Sequence, residues 1–225
     1  MKLLLINSNP DNAFVAVDTG DKHTISYAGD FMCESDKLRP NKSPDKLIQC
    51  FQKVKGRYGD LKDIDAISVT AGPGSFTGIR VGLATAKGAA ASLGKKLIPI
   101  DNFELTLNRV SDFLEDVTYC VLIPSKLPEY YYSLYRSNVQ LESGYVQKSD
   151  LSSKINKNAV IVGNFSDDSE EKDNYFRYLS ATKLKPELES MAELSSKKFN
   201  LGLLSDPKDV EPVYIKDFVI KSPKI

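Results

Sequence analysis

The sequence predicts a mixed α/β fold in two lobes. Short apolar runs bounded by turn formers read as buried strands, two helical stretches stand between such strands, and 225 residues without an internal repeat suffice for two small cores. Strand–helix–strand crossovers after a hairpin require a mixed sheet with helices on it, because parallel neighbours need connections of that length.

Leu3–Ile6 is the first strand, and Asn7-Ser8-Asn9-Pro10-Asp11-Asn12 behind it is dense in turn formers. Ala13–Val17 and His23–Tyr27 form a hairpin across Asp18-Thr19-Gly20-Asp21. Ser43 and Pro44 open a helix whose stripe Leu47, Ile48, Phe51 and Val54 ends near Gly56. Ala66–Thr70 is a strand, Gly72–Gly78 turns it into a helix running to Leu93 with Gly94 as its stop, and Leu97–Ile100 returns as a strand. These elements make a first lobe of residues 1–101. A smaller C-terminal lobe, 102–225, follows with a helix over Asn102–Leu114 and strands at Val117–Ile123, Tyr130–Arg136, Val139–Tyr145 and Ala159–Val162. Glu187–Leu201 is its last helix, and Glu211–Ile215 is extended.

Lys+Arg and Asp+Glu balance at 30 each, so the broad basic footprint of a free-standing nucleic-acid binder is missing. Cys33, Cys50 and Cys120 form no Cys-x-x-Cys pair and read as buried reduced thiols rather than a disulfide framework or zinc site. The apolar start is too short for a signal or membrane segment, so a cytoplasmic protein is expected. The acidic stretch Asp167-Asp168-Ser169-Glu170-Glu171 lacks the ligand spacing of a calcium loop and reads as solvated surface.

The segment Gly72, Pro73, Gly74, Ser75, Phe76, Thr77, Gly78 demands a reason of its own. Three glycines ahead of a helix N-terminus allow close backbone approach and could cradle a phosphate. The spacing fits neither the dinucleotide fingerprint nor the Walker loop, and a tight strand-to-helix turn is the competing reading. The helix beyond, Ile79–Leu93, carries only Arg80 and Lys87 as charges and spreads small residues around its whole circumference. Such a helix must be covered on more than one face, and its small side chains admit another helix at close range. Arg80 sits in the first turn, where a cation opposes the helix dipole, so a compensating group is expected, on a ligand or on a partner.

Ala71-Gly72-Pro73-Gly74-Ser75-Phe76-Thr77-Gly78-Ile79-Arg80-Val81-Gly82-Leu83-Ala84-Thr85-Ala86-Lys87-Gly88 resembles the signature of the TsaB (YeaZ-type) family, and Glu211-Pro212-Val213-Tyr214-Ile215 is similar to its closing motif. The resemblance implies the two-lobed actin-like (ribonuclease H-like) fold. It further implies a non-catalytic subunit that binds and activates a TsaD-type catalytic subunit in forming N6-threonylcarbamoyladenosine at position 37 of ANN-decoding tRNAs. On the same resemblance a TsaE-type ATPase is expected to dock on that pair and tRNA to be met only through the complex, while the small-residue helices leave a homodimer of the free chain open. The family's partner contact lies on the two first-lobe helices, here Leu47, Phe51, Arg80, Leu83, Ala84, Lys87, Ala90 and Ala91. No cofactor is required by this chain, with ATP or ADP left open at the subunit interface.

The residues themselves argue against catalysis. Active members of the superfamily end strand one in an Asp, and the catalytic paralogue adds a His-x-x-x-His pair, whereas this chain has Asn7-Ser8-Asn9 and one histidine, His23. The usual TsaB pattern has Asp-Thr at that turn, so Asn7-Ser8 departs even from its own family. His23 has no nominated carboxylate or nucleophile and reads as an exposed strand residue. No catalytic or metal-binding residue is expected. The alternatives are a small-molecule kinase or ATPase of the same superfamily, with Gly72–Gly78 as a true phosphate loop, and a peptidase.

Overall fold

A computed structural model describes residues 1–9, 12–20, 25–28, 44–110, 116–125, 128–163, 175–179 and 184–216. His23, Cys33, Ser43 and the acidic stretch 167–171 lie outside the described residues. The first sheet has the order β3-β2-β1-β4-β5. Its strands are β1 (Leu3–Asn7), β2 (Phe14–Asp18), β3 (Ile25–Ala28), β4 (Ala66–Gly72) and β5 (Lys96–Asp101). The hairpin strands pair antiparallel, while β1, β4 and β5 run parallel, with Leu3 opposite Ala66 and Ile67 opposite Leu97. Helices α1 (Pro44–Tyr58) and α2 (Phe76–Leu93) make the crossovers. Gly94 closes α2 in the left-handed conformation at φ 66°, which a residue without a Cβ adopts freely.

Every residue of β1 and β4 is buried, as expected of central strands covered on both faces. On one face Leu4, Ile6, Ile67 and Val69 meet Leu47 and Val54 of α1 and Ile79, Leu83, Ala86 and Ala90 of α2. On the other, Leu3, Leu5, Ala66, Ile98 and Ile100 meet Met191 and Leu194 of the last helix, α5 (Glu187–Asn200).

The second sheet has the order β10-β9-β6-β7-β8, built from β6 (Thr118–Pro124), β7 (Glu129–Arg136), β8 (Val139–Gln147), β9 (Val160–Val162) and β10 (Arg177–Tyr178). One face of it packs on the short helix α4 (Leu151–Lys154) through Tyr130, Tyr132 and Leu151. The other meets Phe103 and Leu107 of α3 (Asn102–Asn108), while Leu105 of that helix points into the first sheet's core. The chain beyond residue 101 therefore serves both sheets. Its last helix and tail return to the first, because Met191, Ala192, Leu194 and the hydroxyl of Ser195, 2.6 Å from Ser68 Oγ, fit the face that α1 and α2 leave uncovered.

Two sequence expectations need correction. The helix expected over Asn102–Leu114 ends at Asn108, where the amides of Arg109 and Val110 tighten onto the carbonyls of Thr106 and Leu107. The strand β8 extends two residues past Tyr145, to Gln147, and α4 and β10 were not foreseen, each being too short to show a period. Among the described residues, no helix is long and apolar enough to cross a membrane.

Candidate functional site

Strand β1 ends in the turn where an acidic residue was expected to be needed for metal and phosphate chemistry. Asn7, fully buried, directs its Nδ2 to Glu187 Oε1 at 2.9 Å and to the carbonyl of Asn12 at 2.9 Å. Asn9 Nδ2 donates to the same Glu187 oxygen at 3.0 Å, and Asn12 Nδ2 donates to Glu187 Oε2 at 2.9 Å. Arg109 Nη1 stands 3.9 Å from Oε2. Burial holds this guanidinium below its usual pKa range, opposed by the charge of Glu187. A carboxylate with 4% exposure is thus enclosed by three amides and a cation, and it sits in the first turn of α5, where the helix dipole favours a negative charge.

Further polar atoms of the described turn residues are bonded within the chain, while Asn102 Oδ1 beside them is buried without a partner. Asn7 Oδ1 accepts from the Asn9 amide at 3.1 Å and from Thr70 Oγ1 at 3.3 Å, and the Ser8 amide donates to Thr70 Oγ1 at 3.2 Å. Asn102 Nδ2 links Asn9 Oδ1, at 2.9 Å, to the carbonyl of Pro73, at 2.8 Å. Among the described residues no group of three His, Cys, Asp or Glu side chains is placed to hold a metal.

The glycine-rich segment Gly72, Pro73, Gly74, Ser75, Phe76, Thr77, Gly78 gives its close approaches to the chain's own atoms. A Cβ on Gly72, whose φ is 114°, would stand 2.7 Å from the Val213 carbonyl oxygen. One on Gly78 would stand 2.6 Å from the Ser8 carbonyl oxygen, and one on Gly82 would meet Ser8 Oγ at 2.4 Å and Cβ at 2.7 Å. The glycines seat the β1 turn and the C-terminal tail against α2. The Gly72–Pro73 peptide is cis, and Ser75 caps α2 by accepting from the Gly78 amide at 3.3 Å. Of the two readings the sequence left open, close internal packing accounts for these glycines without a phosphate.

The cations of α2 also find partners in the chain. Arg80 lies over the Phe76 ring, 3.6 Å from its centroid, and its Nε donates to the Tyr214 hydroxyl at 3.0 Å. The Phe76 and Tyr214 rings are 5.6 Å apart, and Lys87 Nζ is 3.5 Å from Glu211 Oε1. The tail, anchored by the Val213 amide on the Ala71 carbonyl at 2.8 Å, therefore supplies compensation that the sequence left to a ligand or a partner. Replacing Tyr214 with Ala is expected to loosen this strap while leaving the sheet intact. Hydrogen exchange at Val213 should rise at least about tenfold, as for an element released from one of two anchors, with β1 and β4 amides unchanged.

The eight residues expected at a partner surface divide in two. Leu47, Leu83 and Ala90, at 4%, 3% and 1% exposure, belong to the core under the first sheet, and Phe51 is partly buried against it. A stripe on an amphipathic helix has an inner side, and periodicity does not say which member lies there. Arg80, Ala84 and Ala91 are exposed and Lys87 partly so, joined by Thr77 and Gly88 at helical spacing and by Ile48, Gln52 and Lys55 on α1. Sequence reasoning missed Glu187 and Arg109 altogether. The signal was there in three asparagines within six residues, amide donors that need an acceptor once buried.

Residues 48–137 match the family model described as TsaD: tRNA N6-adenosine threonylcarbamoyltransferase. The chain is 48% identical over 68 residues to a protein of that name from Chelativorans sp. (strain BNC1), covering 29% of this chain and 18% of that one. It is 28% identical over 101 residues to the tRNA threonylcarbamoyladenosine biosynthesis protein TsaB of Haemophilus influenzae, covering 44% of this chain and 43% of that one. The chain thus spans less than half the length of either curated relative. The solved structure of YeaZ from Pseudomonas aeruginosa shares the fold at a TM-score of 0.70 and 17% identity, over 95% of this chain and 99% of that one. The chain is thus similar over part of its length to TsaD-type and TsaB proteins, and over nearly all of it shares the fold of YeaZ. Its actin-like fold follows from the structural likeness. The turn after β1, where an acidic residue was expected of active relatives, is met instead by the Glu187 carboxylate from α5.

Proposed function

We propose that this TsaB-type chain is a non-catalytic partner subunit in forming N6-threonylcarbamoyladenosine on tRNA, pairing with a TsaD-type catalytic subunit through its first lobe, residues 1–101. A TsaE-type ATPase then docks on the pair, which acts on position 37 of ANN-decoding tRNAs. The observation that carries this reading is the contrast between a strand-one turn filled by Glu187 and an exposed small-residue stripe on α2, formed by Ala84, Gly88 and Ala91. Among the described residues, the side-chain amides of Asn7, Asn9 and Asn12 are already committed to a buried carboxylate, which argues against a metal or a nucleotide phosphate in their place. Small residues let a second helix approach closely, and the exposed Arg80 and Ile48 border the stripe with side chains of the type that anchors interfaces. The same stripe serves a homodimer of the free chain, and ATP or ADP, if bound, lies at the subunit junction rather than in this chain's own cleft.

The test is reconstitution with the same organism's TsaD-type and TsaE-type subunits, a tRNA transcript, ATP and an activated threonylcarbamoyl donor whose leaving group is released on transfer. Modified tRNA is expected only when this chain is present. Ala84→Arg is expected to abolish the product with an unchanged circular dichroism spectrum and melting temperature. Ala90→Arg, by contrast, is expected to unfold the protein, since Ala90 is buried in the core. Full activity without the chain, or with Ala84→Arg, would overturn the proposal.

A further inference from the structure

At the far end of α2 from the glycine-rich segment, an open cleft of about 570 Å³ lies between the helix C-terminus and the segment 206–208. Its walls carry Lys87, Lys95, Lys96 and Lys208 against one lining carboxylate, Asp206. Lys96 takes Asp206 at 3.0 Å, and Lys87 takes Glu211 at 3.5 Å, both pairs being partly exposed. Among the described residues, Lys95 and Lys208 have no ion pair. In a chain whose charges balance at 30 each, this is a local excess of cations gathered on one concave surface. The Lys96 side chain and the Lys208 amide hold the Asp206 carboxyl below its usual range, so it stays ionised and offsets Lys96, as Glu211 offsets Lys87, and the excess is that of Lys95 and Lys208.

The apolar part of the cleft is made of small residues, Ala90, Ala91, Gly94 and Pro207, with no aromatic ring. An acidic peptide needs a pocket for an apolar anchor, and base reading needs a stacking platform. The cleft offers neither. Spaced lysines on an open surface suit the repeated phosphates of a nucleic-acid backbone, which fix position without reading sequence.

We infer that this cleft is a phosphate contact for RNA, through which the TsaB-type chain adds its own hold on the tRNA that its proposed complex modifies. The identity of the RNA rests on the function proposed above, while the contact itself rests on the lysines. Lys87 and Ala91 belong both to the cleft and to the α2 stripe, so RNA seated there lies at the margin of the subunit seam. The two chains then present one continuous surface.

The experiment titrates fluorescein-labelled tRNA transcript with the purified chain, by anisotropy over a series of salt concentrations. The variants are Lys95→Glu/Lys208→Glu and, as a control elsewhere on the surface, Lys62→Glu/Lys157→Glu. The cleft variant is expected to bind at least about tenfold more weakly at low salt and to lower the slope of log affinity against log salt by about two, one for each lost phosphate contact. The control should bind like the wild type apart from a small uniform loss. Equal losses in both variants, or none in the cleft variant, would overturn the inference. Displacement of the RNA by ATP near one equivalent of protein would overturn it in favour of a free-nucleotide site. None of these readings involves the catalytic partner, so loss of the partner role would leave the result standing, and the converse holds as well.

Discussion

Replacing Glu187 with alanine is expected to cost about 3–5 kcal/mol of unfolding free energy, the range for removing one member of a buried, hydrogen-bonded charge pair. The change takes the acceptor from Asn9 and Asn12 Nδ2, leaves Asn7 Nδ2 with the Asn12 carbonyl alone, and removes the buried negative charge beside Arg109. It also removes the contact that ties α5 to the end of β1 across 180 residues of sequence. Urea denaturation checks it: the midpoint should fall with an unchanged slope. Glu187→Gln keeps one acceptor and the shape, and should lose less. Were Glu187→Ala as stable as the wild type but newly able to bind ATP, the carboxylate would be a plug over an intact nucleotide site, and the reading of the turn as a structural replacement would be wrong.

The second large effect is at Gly82, where the expected sign runs against ordinary helix propensity. Alanine in place of glycine inside an exposed helix stabilises by about 1 kcal/mol. At Gly88 nothing lies within 4 Å of the added Cβ, so Gly88→Ala should show that gain in thermal or urea melts. At Gly82 the added Cβ would lie 2.4 Å from Ser8 Oγ and 2.7 Å from Ser8 Cβ, which is fixed to the backbone of the β1 turn. Gly82→Ala is therefore expected to destabilise by about 1–3 kcal/mol, as overpacking does. Two glycines six residues apart on one helix should thus respond with opposite signs. A stabilised Gly82→Ala protein would mean that the β1 turn does not rest on α2 as described.

The first-lobe fold was legible because its signals are local. Leu3–Ile6 and Ala66–Thr70 are apolar runs between turn formers, and the strand-to-helix turn and the Gly94 stop are written in consecutive residues. The return of α5 to the first sheet was not legible, since its stripe of Met191 and Leu194 would suit any uncovered sheet face. At the site the same division holds. The glycine-rich segment announced a close approach, and only the fold shows that the approaching atoms are Ser8 and Val213 rather than phosphate oxygens. Arg80 announced the need for a compensating group, and Phe76 and Tyr214 supply it from four residues away and from the tail. The resemblance placed the partner contact on both first-lobe helices without telling their inner from their outer sides, and the structure buries Leu47, Leu83 and Ala90 while Ala84, Gly88 and Ala91 are exposed.

The most direct test of the central claim is multi-angle light scattering of this chain alone and mixed with the same organism's TsaD-type catalytic subunit, with and without ATP. A heteromeric peak containing both chains, lost on Ala84→Arg and kept on the exposed control Lys62→Glu, is the expected result. No heteromer under any nucleotide condition, with the chain running as an unassociated monomer beside a folded TsaD-type subunit, would contradict the account.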